Sequence, residues 1–476
     1  MTTPDLDAIV VGAGPNGLAA AITLARAGRS VRVYEAASTV GGGTRTVELT
    51  LPGFRHDVCS TIVPFAVASP FFRSVDLASK GVTFIQPDAP LAHPLRADRA
   101  AVLERSIADT ARGLGKHDGR NWERIFGPLC ASWDDLGREL LGPVVHVPRH
   151  PILLARFGIP ALMSARLLAR SAFDGEEARA LFAGVAAHSM VRLDRPLSAS
   201  FGLVLATYAH AVGWPMIAGG AQAIADALAS EVRALGGEIV TGRRVGSLAE
   251  LPRARATLLD VTPRQLVAIA GDRLTPSIRG RARRFRYGPG VFKVDWALDG
   301  PVPWLADGPR RAATVHLGGT IEEIAASEAD VAAGRHPERP FVVFAHYSPW
   351  DTTRAPDGKT TAWAYCHVPG GSTVDMTDRI EAQVERFAPG FRDRILKRAN
   401  TDTVGMEKHD ANYVGGDING GIQDIRQLIF RPWPTRDPYH VGEGLYLCSS
   451  STPPGGGVHG MCGHLAARSA LRRDLR

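Results

Sequence analysis

Three glycines near the start of the chain, Gly12, Gly14 and Gly17, have the spacing G-x-G-x-x-G. They stand between an apolar run, Ala8 to Val11, and an alanine- and leucine-rich stretch, Leu18 to Ala27, that reads as a helix stopped by Gly28. A second apolar run, Val31 to Tyr34, ends in Glu35, followed by Ala36. The chemistry this order permits is dinucleotide binding. Gly12 allows a tight turn, Gly14 lets backbone approach a pyrophosphate, and Gly17 lets helix and strand pack closely. With Pro15 and Asn16 between them, these residues open the helix, whose free N–H groups and positive end face phosphate. Glu35, placed roughly 20 residues beyond the first glycine, is expected to accept ribose hydroxyls.

A second glycine turn follows, Gly41-Gly42-Gly43-Thr44-Arg45. It is similar to the element that lies under the FAD diphosphate and flavin in two-dinucleotide-domain flavoproteins. Arg45 would there bring a fixed positive charge to phosphate or to the flavin edge.

The elements that must position these groups are spread over 476 residues, too many for one ordinary core, so two intertwined domains are expected. Hydrophobic content of 45% and charged content of 22% are those of a globular protein. The net charge of +7 comes mainly from scattered arginine, with no basic run interleaved with aromatics, so nucleic acid is not expected as a partner. Met1 to Leu6 has neither a basic region nor a long apolar segment, so no signal peptide and a cytoplasmic location are expected. The five cysteines form no C-x-x-C, which argues against a disulfide redox enzyme and a zinc knuckle; no metal is expected.

Arg99 to Leu141 has a helical pattern. Pro148 to Ala172 reads as short helices broken at Pro151 and Pro160, with Arg156, Arg166 and Arg170 among large apolar residues. That stretch is expected to be core or a lid over an apolar substrate, with peripheral membrane contact as the alternative. Gly219 to Gly236 is a clear amphipathic helix and leads into strand-like Glu238 to Val240 and Ala256 to Leu259. Val291 to Leu298 alternates as a half-buried antiparallel strand would, and Phe341 to His346 and Thr361 to His367 read likewise. Thr377 to Phe387 is a helix. The middle of the chain is therefore an α+β substrate domain.

Near the end, Gly444 to Gly463 reads GLYLCSSSTPPGGGVHGMCG. A strand, a loop and a helix starting near Val458 are expected. Ser450, Gly457, Val458 and His459 then face the cofactor, the helix N-terminus stabilising negative charge on it.

This stretch, with VVGAGPNGLAAA, GGGTR, LPGFRHDVCS, FKVDWALDGPVPW, DTTRAPDGKTTAWAYCHVPGG and NYVGGDINGG, resembles the phytoene desaturase-like flavoproteins. The last five look closest to the branch called pyridine nucleotide-disulfide oxidoreductase domain-containing protein 2. The resemblance implies an α/β protein. An FAD-binding Rossmann-like, amine-oxidase-like domain (1–75, 215–284 and 426–476) is intertwined with an α+β substrate domain carrying a helical lid (76–214 and 285–425). It implies non-covalent FAD, Val245 against adenine, and desaturation of a C–C bond in a lipophilic, isoprenoid or polyene substrate by hydride transfer to flavin N5, with oxygen or a quinone as the electron acceptor. Carotenoid desaturases commonly have His-Pro where this chain has Pro453-Pro454, so their substrate does not carry over. A reduced-flavin isomerase, an NAD(P)H-dependent reductase, an amine oxidase and a flavin-binding assembly partner stay open. His459 and Tyr413 are the candidate catalytic residues, with Thr452, Asn412, His409 and His56 as further polar groups.

Overall fold

A computed structural model describes residues 6–476. The leader reading of Met1 to Leu6 falls almost wholly outside the described residues.

Two sheets carry the structure. The six-stranded sheet has the order His440–Gly442, Leu445–Leu447, Ala254–Leu259, Leu6–Val11, Val31–Tyr34, Glu238–Val240. The four pairings from Leu445–Leu447 to Glu238–Val240 are parallel. Its strands read as short apolar runs because helices cover them. Pro15–Arg26, Gln222–Ala234 and Met461–Arg472 pack on one face, burying Leu18, Ile22, Ile224, Leu228 and Ala466. Pro263–Ala270 and Pro276–Arg283 cover the other, against Ile9, Val11 and Leu259.

The seven-stranded sheet has the order Ile395–Thr401, Gly290–Leu298, Thr360–Val368, Val342–His346, Ala312–Leu317, Ala89–Arg96, Arg99–Leu103. One face packs on Thr377–Phe387 around Trp296 and Phe344. Above the other lie Glu176–Ala186 and Ser198–Ala211, with Lys116–Ala131 beyond them around Trp122 and Phe126.

Two expectations are corrected here. Arg99 to Leu103, expected as helix, is the edge strand of this sheet; the helices begin at Ile107. Gly290–Leu298 is buried on both faces, including Lys293 and Asp295. Alternation signals a wet face only when the polar positions stay in water, and here the two charges pair with each other, buried beside His56 and Trp363.

The stretch after Pro148 forms Pro151–Ala161 and Ala165–Ala172, bent at 99° to one another. Pro151 starts the first helix, where its missing N–H costs nothing. Among the described residues no single helix is long and apolar enough to cross a membrane.

Candidate active site

The two sheets enclose a cavity of about 690 Å³. One end is a cradle of glycines. Gly12 has φ +105°, open to glycine at little cost. A Cβ on Gly42 would fall 3.2 Å from Gly14 Cα, so the two glycine turns meet with no side chain between them. Glu35 Oε2 accepts the Ala13 N–H at 2.8 Å, and Oε1 accepts Ala37 N–H at 2.8 Å and Arg45 Nη2 at 3.2 Å. Three bonds leave part of the carboxylate's acceptor capacity free toward the cavity. Arg45 is buried, held also by the Thr39 and His409 carbonyls, and its Nε has no protein partner. Asn16 Oδ1 and His409 Nε2 are likewise buried, unpartnered and on residues lining the cavity. A polar ligand is what such groups fit.

Gly12, Gly14, Pro15, Asn16, Glu35, Ala36, Gly42, Gly43, Thr44, Arg45, Val245, Ser450, Gly457 and Val458 all line this cavity. Gly17 lies behind it and donates to Asp260 Oδ2 at 2.9 Å. Asp260 was missed in the sequence reading. It follows Leu259 at the carboxyl end of a parallel strand, and that position was the available signal. Burial pushes its carboxyl from 3.8 up to about 8, with Asp410 and Glu35 adding to the rise.

His459 corrects an expectation. The helix begins at Met461, not near Val458, and the His459 ring is turned into the loop before it. Nδ1 accepts the Met461 N–H at 3.0 Å and Nε2 lies 3.2 Å from the Gly455 carbonyl. Burial lowers its pKa to about 4, and the side chain does not line the cavity, so it is a loop fastener without a proton to exchange there. Thr452 is similarly engaged with the Ser449 carbonyl. His56 binds Thr50 and approaches Asp295 at 3.3 Å, away from the cavity. Asn412 lines it while bridging Asp260 O and Thr262 N–H.

Tyr413 does line the cavity. Its hydroxyl occupies the space a Cβ on Gly43 would need, only 2.0 Å away, and burial raises its pKa well above 10. Beyond it the wall is aromatic and aliphatic: Ile62, Phe65, Leu205, Trp214, Trp363 and Tyr365. Trp363 and Tyr365 stand two apart on one strand with rings 9° from parallel, making a flat floor. The carboxylates lining the cavity, among the described residues, are Glu35, Asp260 and Asp410, all at the glycine cradle.

Residues 10–75 match the family described as NAD(P)-binding Rossmann-like domain. Across 99% of this chain and 94% of the relative, the sequence is 26% identical to pyridine nucleotide-disulfide oxidoreductase domain-containing protein 2 of Rattus norvegicus. An oxidoreductase structure from Methanosarcina mazei superposes with TM-score 0.67 at 16% identity, covering 98% of this chain and all of that one. Putrescine oxidase bound to putrescine gives 0.61 at 19% identity, covering 99% of each. The fold is thus the two-domain, amine-oxidase-like oxidoreductase fold expected from the sequence. The cradle fits the expected FAD: two facing glycine turns, an acid with free acceptor capacity at the second strand, and buried polar atoms without protein partners.

Proposed function

We propose that the chain is an FAD-dependent oxidoreductase that dehydrogenates a C–C bond of a lipophilic substrate, with oxygen or a quinone as final acceptor. One observation supports this reading most. The glycine cradle opens directly into a pocket of aromatic and aliphatic side chains whose lining, at that end, holds no carboxylate among the described residues. An ammonium substrate would want a fixed negative charge or a closed aromatic cage. The near-parallel Trp363 and Tyr365 rings suit a flat, unsaturated or ring-containing body.

When bound, FAD would supply a two-electron acceptor. The chain's own residues bind, orient and keep water out. Glu35 accepts ribose hydroxyls, and Arg45 sets a positive charge, already oriented by three acceptors, against the anionic part of the cofactor. Val245 and Arg244 line the cavity and would border the adenine. Phe65, Leu205 and Trp214 exclude water from the reacting carbon, where a desolvated site strengthens every polar contact.

We extend the proposal to a membrane surface as the source of such a substrate. Ile152 and Ile159 are 72% and 70% exposed on the first helix of the bent pair, with Leu162 and Leu167 exposed beside them and Arg156 on the same element.

The experiment is an anaerobic visible spectrum of the purified protein before and after NADPH. A flavin spectrum that NADPH leaves unchanged is expected. Bleaching by NADPH overturns the dehydrogenase reading in favour of a reductase or a reduced-flavin isomerase, and absence of flavin overturns the whole assignment.

A further inference from the structure

Two aspartates stand at the gap between the two glycine turns. Asp260 follows the strand Ala254–Leu259, and its backbone is pinned on both sides. Its N–H donates to the Val11 carbonyl at 2.8 Å, and its carbonyl accepts Asn412 Nδ2 at 3.0 Å. Its side chain lies against the first turn: a Cβ on Gly12 would fall 3.0 Å from Asp260 Cβ, and one on Gly14 would fall 3.3 Å from Asp260 Oδ2. Asp410, just after the helix Thr403–His409, stands at the second turn, where a Cβ on Gly42 would fall 3.4 Å from its Oδ2. Both residues line the cavity.

Among the described residues neither aspartate forms an ion pair. Arg45, the buried guanidinium of the second turn, is bound to Glu35 at 3.2 Å. Three carboxyl groups therefore border a cradle whose glycines and helix N-terminus suit an anion. A carboxylate beside a diphosphate sets like charges together out of water, where their repulsion is large. The bond from the Gly17 N–H to Asp260 Oδ2 at 2.9 Å explains the residue in part, as a fastening of the first helix. It leaves Oδ1, which has no hydrogen-bond partner among the described residues. The surrounding charges separate the two aspartates. Arg45 opposes the upward effect of burial on Asp410, whereas Asp260 has burial, Asp410 and Glu35 all raising it, to about 8. Of the other ionisable groups nearby, burial and Arg45 lower His409 to about 4. Burial raises Cys448 well above 9 and Cys462 to about 12.

We infer that Asp260 meets the FAD diphosphate as a neutral acid and donates a hydrogen bond to it, so that the cofactor enters the cradle together with a proton. The inference rests on the reading of the two glycine turns as the diphosphate site. A carboxyl kept uncharged by a buried, crowded site can donate where a carboxylate only accepts, and a hydroxyl bonded to an anionic oxygen makes a short, strong contact. The sign of the linkage follows. Below about 8 the FAD-free protein already holds this proton, so binding takes up none. Above that value Asp260 is charged in the FAD-free protein, and the bound anion favours its neutral form further. FAD then binds with uptake of a proton from solvent, and its affinity falls as pH rises.

The test is calorimetric titration of FAD into the full-length protein freed of FAD, in buffers of different ionisation enthalpy, which counts the protons taken up. The parent should take up close to none at about pH 6 and about one per FAD at about pH 9, with affinity falling about fivefold from about pH 8 to about pH 9. Asp260→Asn keeps an acceptor for Gly17 and a donor for the diphosphate. It should bind FAD at about pH 6 as the parent does and take up no proton at about pH 9. Asp410→Asn should keep the uptake. No uptake by the parent at about pH 9 overturns the inference, as does full uptake by Asp260→Asn. If Asp260→Asn does not fold, Asp410→Asn decides: uptake lost there assigns the proton to Asp410 and overturns the inference, and uptake kept supports it. EDTA should change nothing; binding abolished by EDTA would put a divalent cation where the proton is inferred, and overturn it. Failure of the FAD reading is seen separately, as a protein that neither carries a flavin spectrum nor gives heat with FAD.

Discussion

Gly17 stands so close to Gly12 that a Cβ placed on it would lie 2.0 Å from the Gly12 carbonyl oxygen. That oxygen belongs to the turn that ends the first strand, and it cannot move aside as a flexible side chain could. Gly17→Ala is therefore expected to push the first helix off the sheet, costing about 1–3 kcal/mol of stability, and to lower FAD content. Gly14→Val should lose FAD too, because its side chain would enter the space between the two glycine turns. Flavin absorbance per protein after purification checks both, and full retention in Gly14→Val would sink the cofactor assignment.

His459 is expected to behave as a structural residue. His459→Ala removes the acceptor of the Met461 N–H and leaves a buried donor unpaired, a loss of about 1–3 kcal/mol. Urea unfolding should show the loss, while FAD content and the rate of flavin reduction by an added artificial reductant stay at parent values. A stable variant with slowed reduction would return His459 to the active site.

Asp260 gives the FAD-free protein a pH dependence. Its carboxyl titrates near 8 in the folded chain and near its ordinary 3.8 when unfolded, because burial disfavours the charged form. Between those values the folded state holds the extra proton, so this contribution is complete below the unfolded pKa and is lost as pH rises toward about 8. Asp260→Asn keeps an acceptor for Gly17 and cannot ionise. The parent should lose more stability than the variant between about pH 5 and about pH 8, measured by urea midpoints; equal slopes would refute the assignment.

Lys293 and Asp295 form an ion pair inside the strand Gly290–Leu298, both almost wholly buried. Asp295→Ala leaves the ammonium without its closest partner and should cost about 3–5 kcal/mol. Lys293→Met combined with Asp295→Leu should recover much of that stability, since neither charge then needs solvation. Thermal unfolding of the single and double variants decides; a double variant no better than Asp295→Ala would show that the pair is held for another reason.

The exposed apolar side chains of the bent helices predict binding to anionic vesicles, weakened by Ile152→Ser with Ile159→Ser and by salt. Vesicle sedimentation measures it. No binding by the parent would leave the bent pair without a membrane role.

What the sequence determined by itself is local or nearly so. The first strand, the glycine turn, the helix Pro15–Arg26 and Glu35 lie within one short stretch, and each residue type there has one conformational or chemical reason to be present. The second turn through Arg45 was legible for the same reason. Tertiary structure decided the rest. Asp260 reaches Gly17 from 243 positions away, and His188 meets His316 across 128, separations at which no spacing in the chain carries a signal. Gly290–Leu298 looked half-wet because alternation reports side-chain polarity, and only packing shows that both its faces are covered. His459 sits in the motif that suggested it, but a one-residue choice of ring direction, toward the loop carbonyl of Gly455 and the Met461 N–H, removed it from the cavity. Motifs fix which backbone meets the cofactor; side-chain direction and long-range pairing are settled only when the two sheets close on one another.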